Sequence, residues 1–145
     1  MTVAELSQLY YLDREIKANQ RRLAELERKK GDPSSSHLTG MPRAASGDGR
    51  KVERIVAAIA DTQAIIADRT ERCIIERARL QRYIDTIPDA LTREIFARRF
   101  CELESWENVA RIVGGGNTPG GVKKRAYRYL KATNENPVPV CPSPM

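Results

Sequence analysis

The chain is poor in the residues that carry most catalytic and metal chemistry. It has one histidine, His37, and three cysteines, Cys73, Cys101 and Cys141, set far apart. His37 has no neighbouring Cys, Asp or Glu at ligand spacing, which excludes the common zinc sites and leaves a surface histidine. The cysteines make neither a CxxC pair nor an even-numbered disulfide framework. A reduced, cytoplasmic setting is therefore expected. No apolar run approaches the roughly 18–20 residues that cross a bilayer. The opening "MTVAELSQLYYLDREIK" lacks a basic start followed by an apolar core, so no signal peptide is expected. No carboxylate pair stands out either. Glu102, Glu104 and Glu107 lie near a helix start, where acids suit the dipole. Cys101, beside Phe100, reads as a small core residue. Neither an enzyme, a cofactor, a metal nor a membrane partner is expected.

What the chain does have is charge and helix-forming residues. Of 145 residues, 41% are hydrophobic and 30% charged, a globular or coiled-coil balance. Lys and Arg exceed Asp and Glu to give a net charge of +6, which suits an anionic partner.

Residues 3–30 read as one long helix. Leu9, Leu12, Ile16, Leu23 and Leu26 fall on alternating steps of three and four, with Asn19 as the polar place in the stripe. Gly31, Asp32 and Pro33 stop it. Residues 31–50, "GDPSSSHLTGMPRAASGDGR", read as loop, with no surviving period. The embedded "HLTGMPR" has more character than a linker needs. Residues 51–87 read as a second long helix. Its stripe is Val52, Ile55, Ile59, Ile66, Cys73, Leu80 and Ile87, with Thr62 as a polar place and Arg69 and Glu76 interrupting. Two long helices with one stripe each predict an antiparallel, coiled-coil-like hairpin within one chain. Setting Leu26 beside Ile55 gives facing residues whose numbers sum to about 81–82, and brings Asn19 beside Thr62.

Pro88 breaks the second helix, and the character changes. Leu91, Ile95 and Phe100 give a short helix an apolar face. A second starts at Ser105, a good N-cap, and carries Trp106, Val109, Ala110 and Val113 at i, i+3, i+4 and i+7. Gly114 suits a left-handed helix end. A third begins with Thr118 as N-cap and Pro119 in the first helical position. Its inward face is Val122, Ala126, Tyr129 and Leu130. The stretch between, "GGGNTPGG", is no nucleotide P-loop, because Val rather than Lys-Ser or Lys-Thr follows its last glycine and a helix precedes it. Its GGGN part reads as the turn of a helix-turn-helix, longer than the usual three or four residues.

The third helix holds Lys123, Lys124, Arg125, Arg128 and Lys131, with no acid among them. At 100° per residue, Lys124, Tyr127, Arg128 and Lys131 project opposite the buried face, flanked by Lys123 and Arg125. A solvated basic face is the plainer alternative. The capped turn and the short helix with its small Ala110 favour a major-groove reader. Phosphate contacts are expected from Lys123, Arg125 and the N–H groups near Thr118, and base-edge contacts from Lys124, Tyr127 and Arg128.

The segment "IPDALTREIFARRFCELESWENVARIVGGGNTPGGVKKRAYRYLK" resembles region 4 of sigma-70-type factors, the helix-turn-helix that reads the −35 promoter element. The matching positions are Pro88, Arg93, Phe96, Arg99, Ser105, Trp106, Ala110, Gly114, Val122, Lys123, Arg125 and Arg128. With "LSQLYYLDREI" and "LTGMPR", the chain is similar to small phage- and prophage-associated sigma-region-4-like proteins of Gram-positive bacteria, some of them late-operon regulators. The turn is about two residues longer than in sigma factors, and nothing resembles the region that opens the −10 element.

The expected organisation is all-α: a helical hairpin over 1–87, a region 4-like module over 88–133 and a Pro-rich disordered tail over 134–145. The resemblance implies a transcription regulator that binds double-stranded DNA in a bacterial cytoplasm. The hairpin would serve homo-oligomerisation or RNA polymerase contact. An alternative of another class is a phage DNA-packaging or assembly factor of the small-terminase type. Those proteins usually place the DNA-binding part first, the reverse of the order here.

Overall fold

A computed structural model describes residues 1–31 and 46–135, with side chains from residue 49 onward in the second stretch. The "HLTGMPR" segment, His37, Cys141 and the expected tail from residue 136 lie outside the described residues. Among those described, every regular element is helical, and no helix is long and apolar enough to cross a membrane. The order is α1 (Val3–Leu6), α2 (Gln8–Gly31), α3 (Ser46–Asp85), α4 (Ala90–Phe96), a π-helical turn (Ala97–Cys101), α5 (Trp106–Val113) and α6 (Pro119–Glu135).

Four boundaries differ from expectation, one of them the end of α3 at Asp85 rather than at residue 87. The first helix is interrupted at Ser7. Its hydroxyl donates to the Val3 carbonyl at 2.8 Å, and its backbone has φ −85° and ψ −6°. A serine hydroxyl that bonds back to residue i−4 competes with the backbone ladder and bends it. α1 itself is held by a capping box, in which Thr2 and Glu5 satisfy each other's backbone N–H groups. Secondly, α3 begins at Ser46, so the 31–50 segment is not loop throughout. A glycine in a helix costs about 1 kcal/mol against alanine, and a 40-residue helix absorbs Gly49 in its first turn. Thirdly, α6 runs to Glu135, two residues past the expected end of the module.

The chain divides into two compact units: Leu12–Cys73, and Met1–Tyr11 with the chain from Ile74 onward. The expected boundary at 87/88 falls inside the second of these.

In the Leu12–Cys73 unit, Leu12, Ile16, Leu23 and Leu26 of α2 and Ile55, Ile59 and Ile66 of α3 are half-buried, and Thr62 is buried. Val52, expected in the stripe, is exposed. Arg69, which interrupts the stripe, ion-pairs with Glu15 across the two helices at 2.8 Å. Their numbers sum to 84, two above the upper expected value. Two residues are about 3 Å of helix rise, a step that Arg and Glu side chains span. Asn19 and Thr62 do not satisfy each other. Asn19 Nδ2 donates to the Glu15 carbonyl at 2.9 Å and Thr62 Oγ1 to the Ala58 carbonyl at 2.7 Å. Each finds its partner one turn back on its own helix.

The other unit has the denser core. Leu6, Leu80, Ile84, Ile87, Ile95, Phe96, Val109 and Val122 are fully buried. A side chain of this size contributes roughly 1.5–3 kcal/mol when buried. Arg79 joins Glu5 at 3.0 Å and Glu76 at 2.9 Å, so the second charged interruption of the stripe is also paired. Phe96, outside the apolar face expected for its helix, packs against Phe100 and Tyr129. Leu91, expected on that face, is half-buried.

Candidate nucleic-acid interface

The π-helical turn explains the odd spacing between Ile95 and Phe100. Glu102 N–H donates to the Ala97 carbonyl, five residues back, at 3.0 Å. The wider turn carries Phe100 and Cys101 into the same core as Ile95 and Phe96. Burial pushes the Cys101 thiol up from its ordinary value, which disfavours a thiolate. The turn ends at Leu103, whose φ of +61° is unusual for a bulky residue. The reversal brings the Glu104 carbonyl within 2.6 Å of Arg99 Nη1 and starts the next helix two residues later.

α5 forms where its capping signals place it. Ser105 Oγ accepts from Asn108 N–H at 3.2 Å. Glu107, in the first turn, is held below its ordinary value by its own backbone N–H and the Ser105 hydroxyl. Val109 and Ala110 are buried against α6. Small Ala110 permits that approach.

The turn uses three glycines for one reason. Gly114, Gly115 and Gly116 have φ of +64°, +65° and +75°. Gly114 departs from the expected left-handed helical residue: its ψ is −150°, a region that only glycine occupies readily. Its N–H still closes α5 by donating to Ala110. Asn117 then folds back, its backbone and side-chain N–H groups both donating to the Gly114 carbonyl. Thr118 caps α6: its hydroxyl accepts from Gly121 N–H at 3.1 Å, and its carbonyl from Val122 N–H at 3.0 Å. A Cβ on Gly121 would stand 3.1 Å from that hydroxyl, so the cap itself limits the position to a small residue.

The inward face of α6 is Val122, Ala126 and Leu130, all buried, with Tyr129 half-buried. The residues expected to meet DNA do not share one environment. Lys123, Lys124, Tyr127, Arg128 and Lys131 are exposed. Among the described residues, Lys124 and Arg128 have no carboxylate partner, and Lys131 has only Glu135 at 3.9 Å. Lys123 lies over the Tyr127 ring at 5.9 Å. Arg125 is different. Its guanidinium donates to Asp89 at 2.8 Å and to Thr92 Oγ1 at 3.1 Å, tying α6 to the N-cap of α4. The Thr92 hydroxyl, Arg125 and the Thr92 backbone N–H hold the Asp89 carboxyl well below the usual carboxylate range.

A run of ring contacts supports the exposed face from beneath. Arg99 stacks over Trp106 at 5.0 Å. Trp106 meets Phe100 edge-on at 6.4 Å and Tyr127 at 6.2 Å. Trp106 is half-buried rather than interior, and it supports the one aromatic ring of the basic face. Sequence reasoning missed this support and the Asp89 clamp. The signal for the clamp was present in Asp89 itself, an N-cap residue directly after Pro88. Compared with protein-family models, curated proteins and solved structures, the chain matches none of them.

Proposed function

We propose that the chain is a DNA-binding transcription regulator, and that α5, the glycine turn and α6 act as a helix-turn-helix with α6 in the major groove. The observation that carries the reading is an exposed cationic face on a capped, firmly seated helix. Lys124 and Arg128 are uncommitted among the described residues, and Tyr127 is braced by Trp106. A guanidinium and an ammonium on a groove-sized helix match the acceptor edge of guanine, while Tyr127 offers apolar contact and a hydroxyl. Lys123 and the N–H groups at Thr118 suit backbone phosphates. Arg125 is assigned instead to holding α6 in place. α2 and α3 are proposed to form the intrachain antiparallel hairpin, which serves homo-oligomerisation or RNA polymerase contact. The test is selection of the full chain on a random duplex pool. A defined motif should be enriched, and Lys124→Ala with Arg128→Ala should flatten it. No enrichment over the starting pool, or an unchanged motif in the variant, refutes sequence reading by α6.

A further inference from the structure

The positive charge is concentrated in two places. One is α6. The other is the end of the Leu12–Cys73 unit, where the last turn of α2 and the start of α3 carry Arg28, Lys29, Lys30, Arg50, Lys51 and Arg54. All six are exposed, and among the described residues none has a carboxylate partner. Glu27, Asp48 and Glu53 are the acids within the same two stretches, 27–31 and 46–54.

In the antiparallel hairpin proposed above, the α2 cations and the α3 cations fall at one end. The Arg69–Glu15 ion pair sets α2 beside α3. Fifteen residues further along α2 is Lys30, and fifteen back along α3 is Arg54. With one rise per residue, these two reach the same level. Leu26 and Ile55, adjoining them, are both half-buried. The helix dipole accounts for Arg28, Lys29 and Lys30, which sit at a C-terminus. It does not account for Arg50, Lys51 and Arg54, which sit towards an N-terminus. Their repulsion from the α2 cations opposes folding, and a polyanion laid across the end would reverse that cost.

We infer that this end of the unit is a second nucleic-acid contact, binding the phosphate backbone of duplex DNA without reading sequence. The choice of DNA as the polyanion rests on the function proposed for α6. The cation types fit the role. Lysines and arginines on helix ends, with no aromatic residue in stretches 27–31 and 46–54, suit repeated phosphates rather than bases.

The experiment uses the full chain and a labelled random-sequence duplex, with affinity measured by anisotropy between about 50 and 200 mM salt. In K29Q/K30Q/K51Q/R54Q, affinity should fall tenfold or more at low salt. The slope of log K against log salt should become shallower by about two or more, since each phosphate neutralised contributes about 0.9 to it. K29R/K30R/K51R, which keeps the charges, should bind as the native chain does. Should the quadruple variant lose helicity, K29Q and K51Q alone serve, each reducing the slope by about one. Unchanged affinity and slope in the Gln variants overturn the inference. Gln variants that bind phosphatidylserine vesicles more weakly but keep their duplex affinity overturn it as well. The α6 variant K124Q/R128Q separates the two ideas. If it abolishes binding while K29Q/K30Q/K51Q/R54Q does not, α6 is the site and the second contact is wrong. If the reverse holds, the second contact stands and the role proposed for α6 fails.

Discussion

Arg125 and Arg128 are three residues apart on one helix and have different surroundings. Arg125 is bound by Asp89 and Thr92, whereas Arg128 is exposed and unpaired among the described residues. Arg128→Ala should weaken duplex binding by about 1–3 kcal/mol if it contacts a base, with no change in melting temperature. Arg125→Ala should lower the melting temperature, because Asp89 is then left without its cation. The pH dependence has a definite sign. Asp89 is depressed in the folded chain, so its contribution is present above the unfolded carboxylate value of about 4 and is lost as pH falls below it. The melting temperature should drop on acidification through that range, and Asp89→Asn should flatten the drop, as measured by circular dichroism. Tyr83 gives a further check. Its hydroxyl is buried with no partner among the described residues, and burial raises its pKa. An unsatisfied buried hydroxyl costs about 1–3 kcal/mol, so Tyr83→Phe should leave the melting temperature the same or higher. Arg125 reads from the sequence as a flanking cation of α6, but its partner lies 36 residues away. Helical spacing on α6 carries no information about such a distant carboxylate.

The helices vary in how plainly the sequence marks them. α5 and α6 begin where Ser105, Thr118 and Pro119 say they should, since a cap acts through backbone groups two or three residues away. Gly114 was legible as a helix stop. Its mirror-image extended backbone was not, because that depends on where the next helix must go. Gly114→Ala should cost about 1–3 kcal/mol in urea unfolding through backbone strain alone, as a Cβ there would meet nothing within 4 Å. The π-helical turn was hidden, although the step from Ile95 to Phe100 is five residues and fits no α-helical face. Trp106 was expected to be interior. Half-buried between Phe100 and Tyr127, it should behave as a positioning residue as well as a packing one. Trp106→Phe should retain most of the stability yet weaken duplex binding, with the two compared by melting and anisotropy. A loss of stability with binding unchanged per folded molecule would leave Trp106 as packing only. In the long helices, the apolar stripes predicted the half-buried faces of α2 and α3, except at exposed Val52. They did not predict that Asn19 and Thr62 would each bond to their own helix, since i−4 carbonyls are always within reach.

At the scale of the molecule, the all-helical class followed from periodicity, and the described residues contain no strand. The grouping of segments did not follow in the same way. Leu6, Leu9, Leu80 and Ile84 join the core that holds Phe96 and Val109. They come from α1, the start of α2 and the end of α3, and such a grouping is decided by tertiary packing rather than local pattern. The full chain is therefore the proper object for binding work, since a fragment from residue 88 would omit those side chains. The role proposed for the exposed face of α6 is engagement of duplex DNA. Its most direct measurement is the anisotropy of a labelled duplex titrated with the full chain at low salt, native against K124Q/R128Q. The native chain should bind with log K falling linearly against log salt. The variant, equally helical and equally stable, should bind about tenfold or more weakly, since each of the two cations contributes about 0.7 kcal/mol or more. A native chain that leaves the anisotropy flat, or a variant that titrates on the same curve, contradicts the account.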